Sequence, residues 1–133
     1  MLQLTKRADY GLIAMKHLAE RSALICSAKE ISETYEIPSE LMAKILQSLA
    51  RKGLVISHHG SHGGYTLGRL PSDISAAEVI EAVDGPFSLA ACGFDDESAC
   101  LQFSRCTVRD PLRKLNENIV QFLSQLTISK MTN

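Results

Sequence analysis

No stretch of this chain approaches 18 consecutive apolar residues, and no charged-then-apolar leader opens it. The first absence excludes a membrane-spanning helix and the second a secretory signal, so the expectation is a cytoplasmic protein with no membrane partner. Internal repeats, low-complexity tracts and evident linkers are missing too. A chain of 133 residues without them suits one domain, or one compact domain with an appended element. No Gly-rich phosphate loop, Ser/His/Asp set or carboxylate pair stands out, and His17 has no obvious nucleophilic partner. These gaps argue against an enzyme. The Cys-x-x-Cys pairs of a zinc ribbon are absent as well.

Net charge is also nearly lacking, at −1, so the whole chain does not advertise a nucleic-acid partner. Its distribution is less even. Residues 1–70 hold nine Lys/Arg and six Asp/Glu, a net of +3, and residues 71–133 hold five and nine, a net of −4. The first part is the one suited to meet phosphates. The apolar fraction of 45% supplies enough material for a core.

Helical spacing runs through the basic half. Tyr10, Ile13, Ala14 and Leu18 recur on one face of a helix over residues 6–21. Ser27-Ala28-Lys29-Glu30 forms a capping box. It opens a short helix to about Tyr35, with Ala28, Ile31 and Tyr35 turned inward. Pro38 disfavours helix at Ile37 and marks a tight break. A third helix then spans about Ser39 to Lys52 and stops at Gly53. Leu41, Met42, Ile45, Leu46 and Leu49 form its apolar face. Glu40, Lys44, Gln47 and Arg51 form a polar stripe at spacings of four, three and four. The short helix, break and longer helix make a helix-turn-helix, whose stripe would face a DNA major groove.

Leu54-Val55-Ile56-Ser57-His58 reads as a strand and Tyr65-Thr66-Leu67 as its return, joined through Gly60, Gly63 and Gly64. A hairpin directly after a helix-turn-helix is a wing. His59, Ser61 and His62 at its tip are candidates for a phosphate or the minor groove, with Ser39 at the head of the third helix. Ser75-Ala76-Ala77-Glu78 is a second capping box, opening a short helix that Gly85-Pro86 ends. Asp110-Pro111 suits the entry of a last, long helix, which could also begin nearer Cys106. Val108, Leu112, Leu115, Ile119, Phe122 and Leu126 alternate spacings of four and three, a seam suited to a dimer interface. The expected fold is mainly α with a small β-hairpin. Residues 1–85 form the winged helix-turn-helix domain, 86–106 a cysteine loop and 107–133 the dimerisation helix and tail.

Cys92, Cys100 and Cys106 lie within fifteen residues on that loop, which shows little periodicity. Soft thiolates converging there favour zinc, copper(I) or an iron–sulfur cluster. In the cytosol, where disulfides are rare, such thiols read as metal or redox groups. Cys26, alone among apolar neighbours, reads as an unreactive buried thiol.

These pieces resemble the Rrf2 family of bacterial transcription regulators over nearly the whole chain. The resemblance rests on Leu4-Thr5-Lys6-Arg7-Ala8-Asp9-Tyr10-Gly11-Leu12 and Leu49-Ala50-Arg51-Lys52-Gly53-Leu54-Val55. The wing Gly60-Ser61-His62-Gly63-Gly64-Tyr65-Thr66-Leu67, the segment Val79-Ile80-Glu81-Ala82-Val83-Asp84-Gly85 and the three cysteines complete it. The resemblance implies a homodimer bound to a palindromic double-stranded operator, with an iron–sulfur cluster, 2Fe–2S or 4Fe–4S, on the cysteine loop. In IscR-like members a histidine three residues after the last cysteine is a ligand, but Arg109 stands there in this chain and cannot serve. In NsrR-like members an aspartate of the first helix reaches the cluster from the other protomer, and Asp9 stands at that place. The implied ligands are therefore Cys92, Cys100 and Cys106 of one chain with Asp9 of the other. IscR-like members also carry a glutamate on the recognition helix that helps choose operators; Ala43 replaces it here.

The function expected from this is cluster-dependent control of iron–sulfur biogenesis or of redox and nitrosative stress genes. Two alternatives remain. One is a metal-free thiol/disulfide regulator with the same DNA role. The other is an iron–sulfur carrier, for which the wing and polar stripe would be superfluous.

Overall fold

A computed structural model of the chain describes residues 4–86 and 109–132, with the backbone alone at 109 and 110. Three helices come first: α1 (Lys6–Glu20), α2 (Ala28–Tyr35) and α3 (Ser39–Arg51). The strands β1 (Val55–His58) and β2 (Gly64–Leu67) follow. A 3-10 turn over Pro71–Asp73 leads into α4 (Ala76–Asp84). The chain closes with α5 (Arg109–Gln125) and the short α6 (Ile128–Met131). No helix among the described residues is long and apolar enough to cross a membrane.

Three of the helices, α1, α2 and α4, start where a hydroxyl takes an orphan backbone N–H. Thr5, Ser27 and Ser75 accept from the amides of Ala8, Glu30 and Glu78 at 3.0–3.1 Å. The glutamates of the two capping boxes do not reach back as expected. Glu30 turns to His17, and Glu78 pairs with Arg69. Glu36, at φ 56°, ends α2 in the left-handed region, and the Ile37 amide donates to Ser32 at 2.9 Å. This bend, with Pro38 behind it, sets α3 against α2.

The core fills from every element. Met15 and Leu18 of α1, Ile31 of α2, and Met42, Ile45, Leu46 and Leu49 of α3 are buried. Burying each such side chain contributes roughly 1.5–3 kcal/mol before entropy is charged against it. Tyr35 departs from its expected inward place: the residue is 39% exposed, although its hydroxyl bonds inward to His17. Gly11 lets α1 and α4 approach closely, since a Cβ there would lie 3.1 Å from Val83 Cγ2. The Thr5 hydroxyl also donates to the Asp84 carboxylate, fastening the head of α1 to the end of α4.

The two strands pair antiparallel, Val55 opposite Leu67 and His58 opposite Gly64. His58 Nε2 lies 2.9 Å from Thr66 Oγ1 across the hairpin. On the other edge of β2, Cys26 pairs with Tyr65. The far end of the chain returns to this domain. The Ala76 amide donates to Leu126 at 2.7 Å, the Ile128 amide donates to Ile74 at 2.9 Å, and Ile128 is fully buried.

Candidate functional site

On α3 the sequence pattern becomes a two-sided helix. Met42, Ile45, Leu46 and Leu49 are buried, while Ser39, Glu40, Lys44, Gln47 and Arg51 are all exposed. The packing of α3 against α1, α2 and α4 leaves that stripe to solvent. Arg51 donates to Ser48 Oγ at 3.1 Å, which steadies a guanidinium at the stripe's end. The stripe offers cations for phosphates and, through Gln47, an amide with the geometry to read adenine. Ala43 is half-buried beside it. An alanine cannot accept a hydrogen bond from cytosine, though it can touch a thymine methyl.

The hairpin carries its exposed polar groups at the turn: His59, Ser61 and His62 are solvent-facing. Paired strands on one side and Cys26 on the other hold β2, so the turn projects from a fixed base.

Asp9 lies in the first turn of α1 with its side chain exposed. A carboxylate there suits the positive end of the helix dipole. The Thr5–Asp84 bond places this end of α1 against the end of α4, from which the chain runs into the cysteine loop. Cys92, Cys100 and Cys106 themselves lie outside the described residues.

The long seam divides. Leu123 and Leu126 pack against the core, whereas Leu115 and Phe122 are 45% and 67% exposed. These two residues are seven apart and share one outer face of α5.

One cluster has no counterpart in the expected site. His17 is buried, with Nε2 3.2 Å from Glu30 Oε2, Nδ1 2.9 Å from Tyr35 Oη and Arg21 Nη1 3.2 Å from the same Nδ1. The His17 and Tyr35 rings meet edge to face. Hydrogen bonding from His17 holds the Glu30 carboxyl below its ordinary range, and Cys26 adds to this. Burial, with Glu30 beside it, pushes the Cys26 thiol up to about 11. The expected burial of Cys26 is therefore seen, but its neighbours were not foreseen. His17 in the last turn of α1, Arg21 at its C-cap and Glu30 in the first turn of α2 are brought together by packing.

Comparisons with known proteins fall on the same fold. Residues 4–133 match the Rrf2 family, described as iron-dependent transcriptional regulators. The HTH-type transcriptional regulator NsrR of Bacillus subtilis (strain 168) is 30% identical over 126 residues, 94% of this chain and 84% of its own. The HTH-type transcriptional regulator IscR of Klebsiella pneumoniae (strain 342) is 30% identical over 133 residues, 99% of this chain and 80% of its own. Among solved structures, that of CymR (YrzC), the global cysteine regulator of B. subtilis, superposes with a TM-score of 0.78. It is 27% identical and the match covers 98% of this chain and 96% of that one.

Proposed function

Because the chain belongs to the Rrf2 family of transcription regulators, we propose that it is a homodimeric, operator-binding regulator whose cysteine loop carries an iron–sulfur cluster. The observation that carries the DNA role is α3, sealed on one side by the core and open along Glu40, Lys44, Gln47 and Arg51 on the other. The exposed turn of the hairpin, with His59, Ser61 and His62, supplies a second contact. In this reading residues 1–85 read DNA, 86–106 hold the sensor and 107–133 join the protomers. Leu115 and Phe122 present an apolar face to a second copy, which places two α3 helices on a palindromic site.

The donor set fits a cluster. Cys92, Cys100 and Cys106 offer three soft thiolates. Arg109 cannot complete the set, whereas Asp9 is exposed on α1 and free to meet a partner's loop. The proposed ligands are thus three cysteines of one chain and Asp9 of the partner subunit. When bound, the group supplies a state that changes with redox or nitrosative conditions. Asp9 then links that state to α1, which packs directly on α3. The genes controlled in this reading are those of cluster biogenesis or stress defence.

Ultraviolet–visible absorption with iron and sulfide analysis on anaerobically purified protein tests this, alongside Cys92→Ala, Cys100→Ala and Cys106→Ala. Charge-transfer absorption lost in each variant supports it. A colourless, iron-free wild type that still binds operator DNA refutes the cluster and leaves a thiol regulator. The likeness to CymR, a cysteine regulator, over 98% of the chain favours that second reading next.

A further inference from the structure

A ring nitrogen of His17, the Sγ of Cys26 and a carboxylate oxygen of Glu30 lie within 4.8 Å of one another, and it is Nε2 that faces Glu30, 3.2 Å from Oε2. We propose that these three residues form a binding site for a divalent transition metal of the zinc class, separate in its ligands from the cysteine loop. The donor set is one imidazole nitrogen, one thiolate and one carboxylate oxygen. That mixture excludes magnesium and calcium, which take oxygen ligands, and suits a tetrahedral ion with one position left for water. Tetrahedral bonds of about 2.0–2.3 Å put ligand atoms roughly 3.5 Å apart. The Glu30 side chain is 49% exposed and supplies the movement that closes the remaining gap, while His17 and Cys26 are fixed by burial.

The surrounding groups complete the site. Without metal, the Arg21 guanidinium, which can only donate, faces His17 Nδ1, so the ring proton belongs on Nε2, where it donates to Glu30, and the Tyr35 hydroxyl lies 2.9 Å from the same Nδ1. Coordination at Nε2 moves that proton to Nδ1, where the Tyr35 hydroxyl turns to accept it and Arg21 swings out. A hydrogen bond on the far nitrogen is what orients and tunes a ligating histidine. The Cys26 thiol releases its proton to solvent on binding, so the ion meets one thiolate and one carboxylate and its two charges are balanced.

The position gives the site a consequence. His17 belongs to α1, Glu30 to the first turn of α2, and Cys26 pairs through its backbone with Tyr65 of β2. One ion would clamp the first helix, the helix-turn-helix and the wing together. The geometry of the reading head would then depend on metal occupancy as well as on the loop.

The test is a cobalt(II) titration of the full-length chain carrying Cys92→Ala, Cys100→Ala and Cys106→Ala, in which Cys26 is the remaining thiol. The expected result is one equivalent bound per chain, with thiolate-to-cobalt charge transfer in the near ultraviolet and displacement by zinc. Cys26→Ser should abolish the charge transfer, and Tyr35→Phe should weaken binding roughly tenfold or more. Because Cys26 is buried and its substitution threatens the fold, Glu30→Gln, on a half-exposed side chain, provides an independent check and should also lose the tetrahedral spectrum. Absence of charge transfer in the parent protein overturns the proposal. So does a spectrum that Glu30→Gln leaves unchanged, or one that survives Cys26→Ser.

Discussion

The backbones of Cys26 and Tyr65 exchange two hydrogen bonds, Cys26 N–H to Tyr65 O at 3.0 Å and Tyr65 N–H to Cys26 O at 2.8 Å. The pair ties the segment that leads into the helix-turn-helix to the wing strand, so the wing is braced on both edges of β2. Gly64 makes the approach possible, because a Cβ there would lie 2.6 Å from the Cys26 carbonyl oxygen and 2.9 Å from Ile25 Cγ2. Gly64→Ala should therefore part the pair and cost about 1–3 kcal/mol. Thermal unfolding should show a fall in Tm of several degrees, with DNA affinity reduced at temperatures where the variant is still folded. A variant as stable as the parent would show that the pair does not constrain the wing.

Much of this architecture is legible in the residues. Ser27 and Ser75 mark helix starts because a hydroxyl at that place has a local partner, whatever the fold. The apolar periodicity of α3 names its buried face for the same reason. What escaped is long-range. Nothing near Glu30 in sequence indicates that its carboxylate prefers a histidine thirteen residues back to its own capping box, and only packing brings the two within 3.2 Å. The seam of α5 is similar. Period 3.5 announces an apolar stripe, but not that Leu126 turns into its own domain while Phe122 remains outside. Asp9 is harder still: its position shows a helix-dipole charge, and the ligand role proposed for it comes from resemblance alone.

On α3, Lys44 and Gln47 should behave differently when changed to alanine. Both are exposed, and alanine favours helix, so stability should hold within about 0.5 kcal/mol. Lys44→Ala removes a charge for phosphates. It should weaken all sequences alike and lower the slope of log affinity against log salt by about one. Gln47→Ala should instead relax discrimination at one base pair, by about 1–3 kcal/mol. Fluorescence anisotropy on operator and scrambled duplexes at several salt concentrations separates the two. Unchanged binding in both variants would remove α3 as the reading helix.

Phe122 is 67% exposed, with Leu115 one heptad before it on the same face. Such a stripe is costly in a monomer and useful in a dimer. Phe122→Asp should leave the far-UV circular dichroism intact, since the ring takes no part in the protomer's core. The protein should become monomeric by sedimentation velocity, and operator affinity should fall with it. A Phe122→Asp protein that stays dimeric would place the interface elsewhere.

Asp9→Ala probes the link between sensor and reading head. The side chain is exposed, and the helix start is already capped by Thr5, so the fold should lose no more than the dipole contribution of about 0.3–1 kcal/mol. If Asp9 is a ligand, its loss should act on the cluster instead. The visible spectrum should shift, and the cluster should be lost faster to oxygen or a chelator, while iron-free protein keeps its DNA affinity. Asp9→Cys sharpens the test, because a thiolate is a softer ligand for iron than a carboxylate and should hold the cluster longer under the same challenge. Equal spectra and equal loss rates in all three proteins would exclude Asp9 from the coordination sphere. The three cysteines would then stand without a fourth protein ligand from α1, and the route from loop to recognition helix would have to run through the Thr5–Asp84 contact at the end of α4.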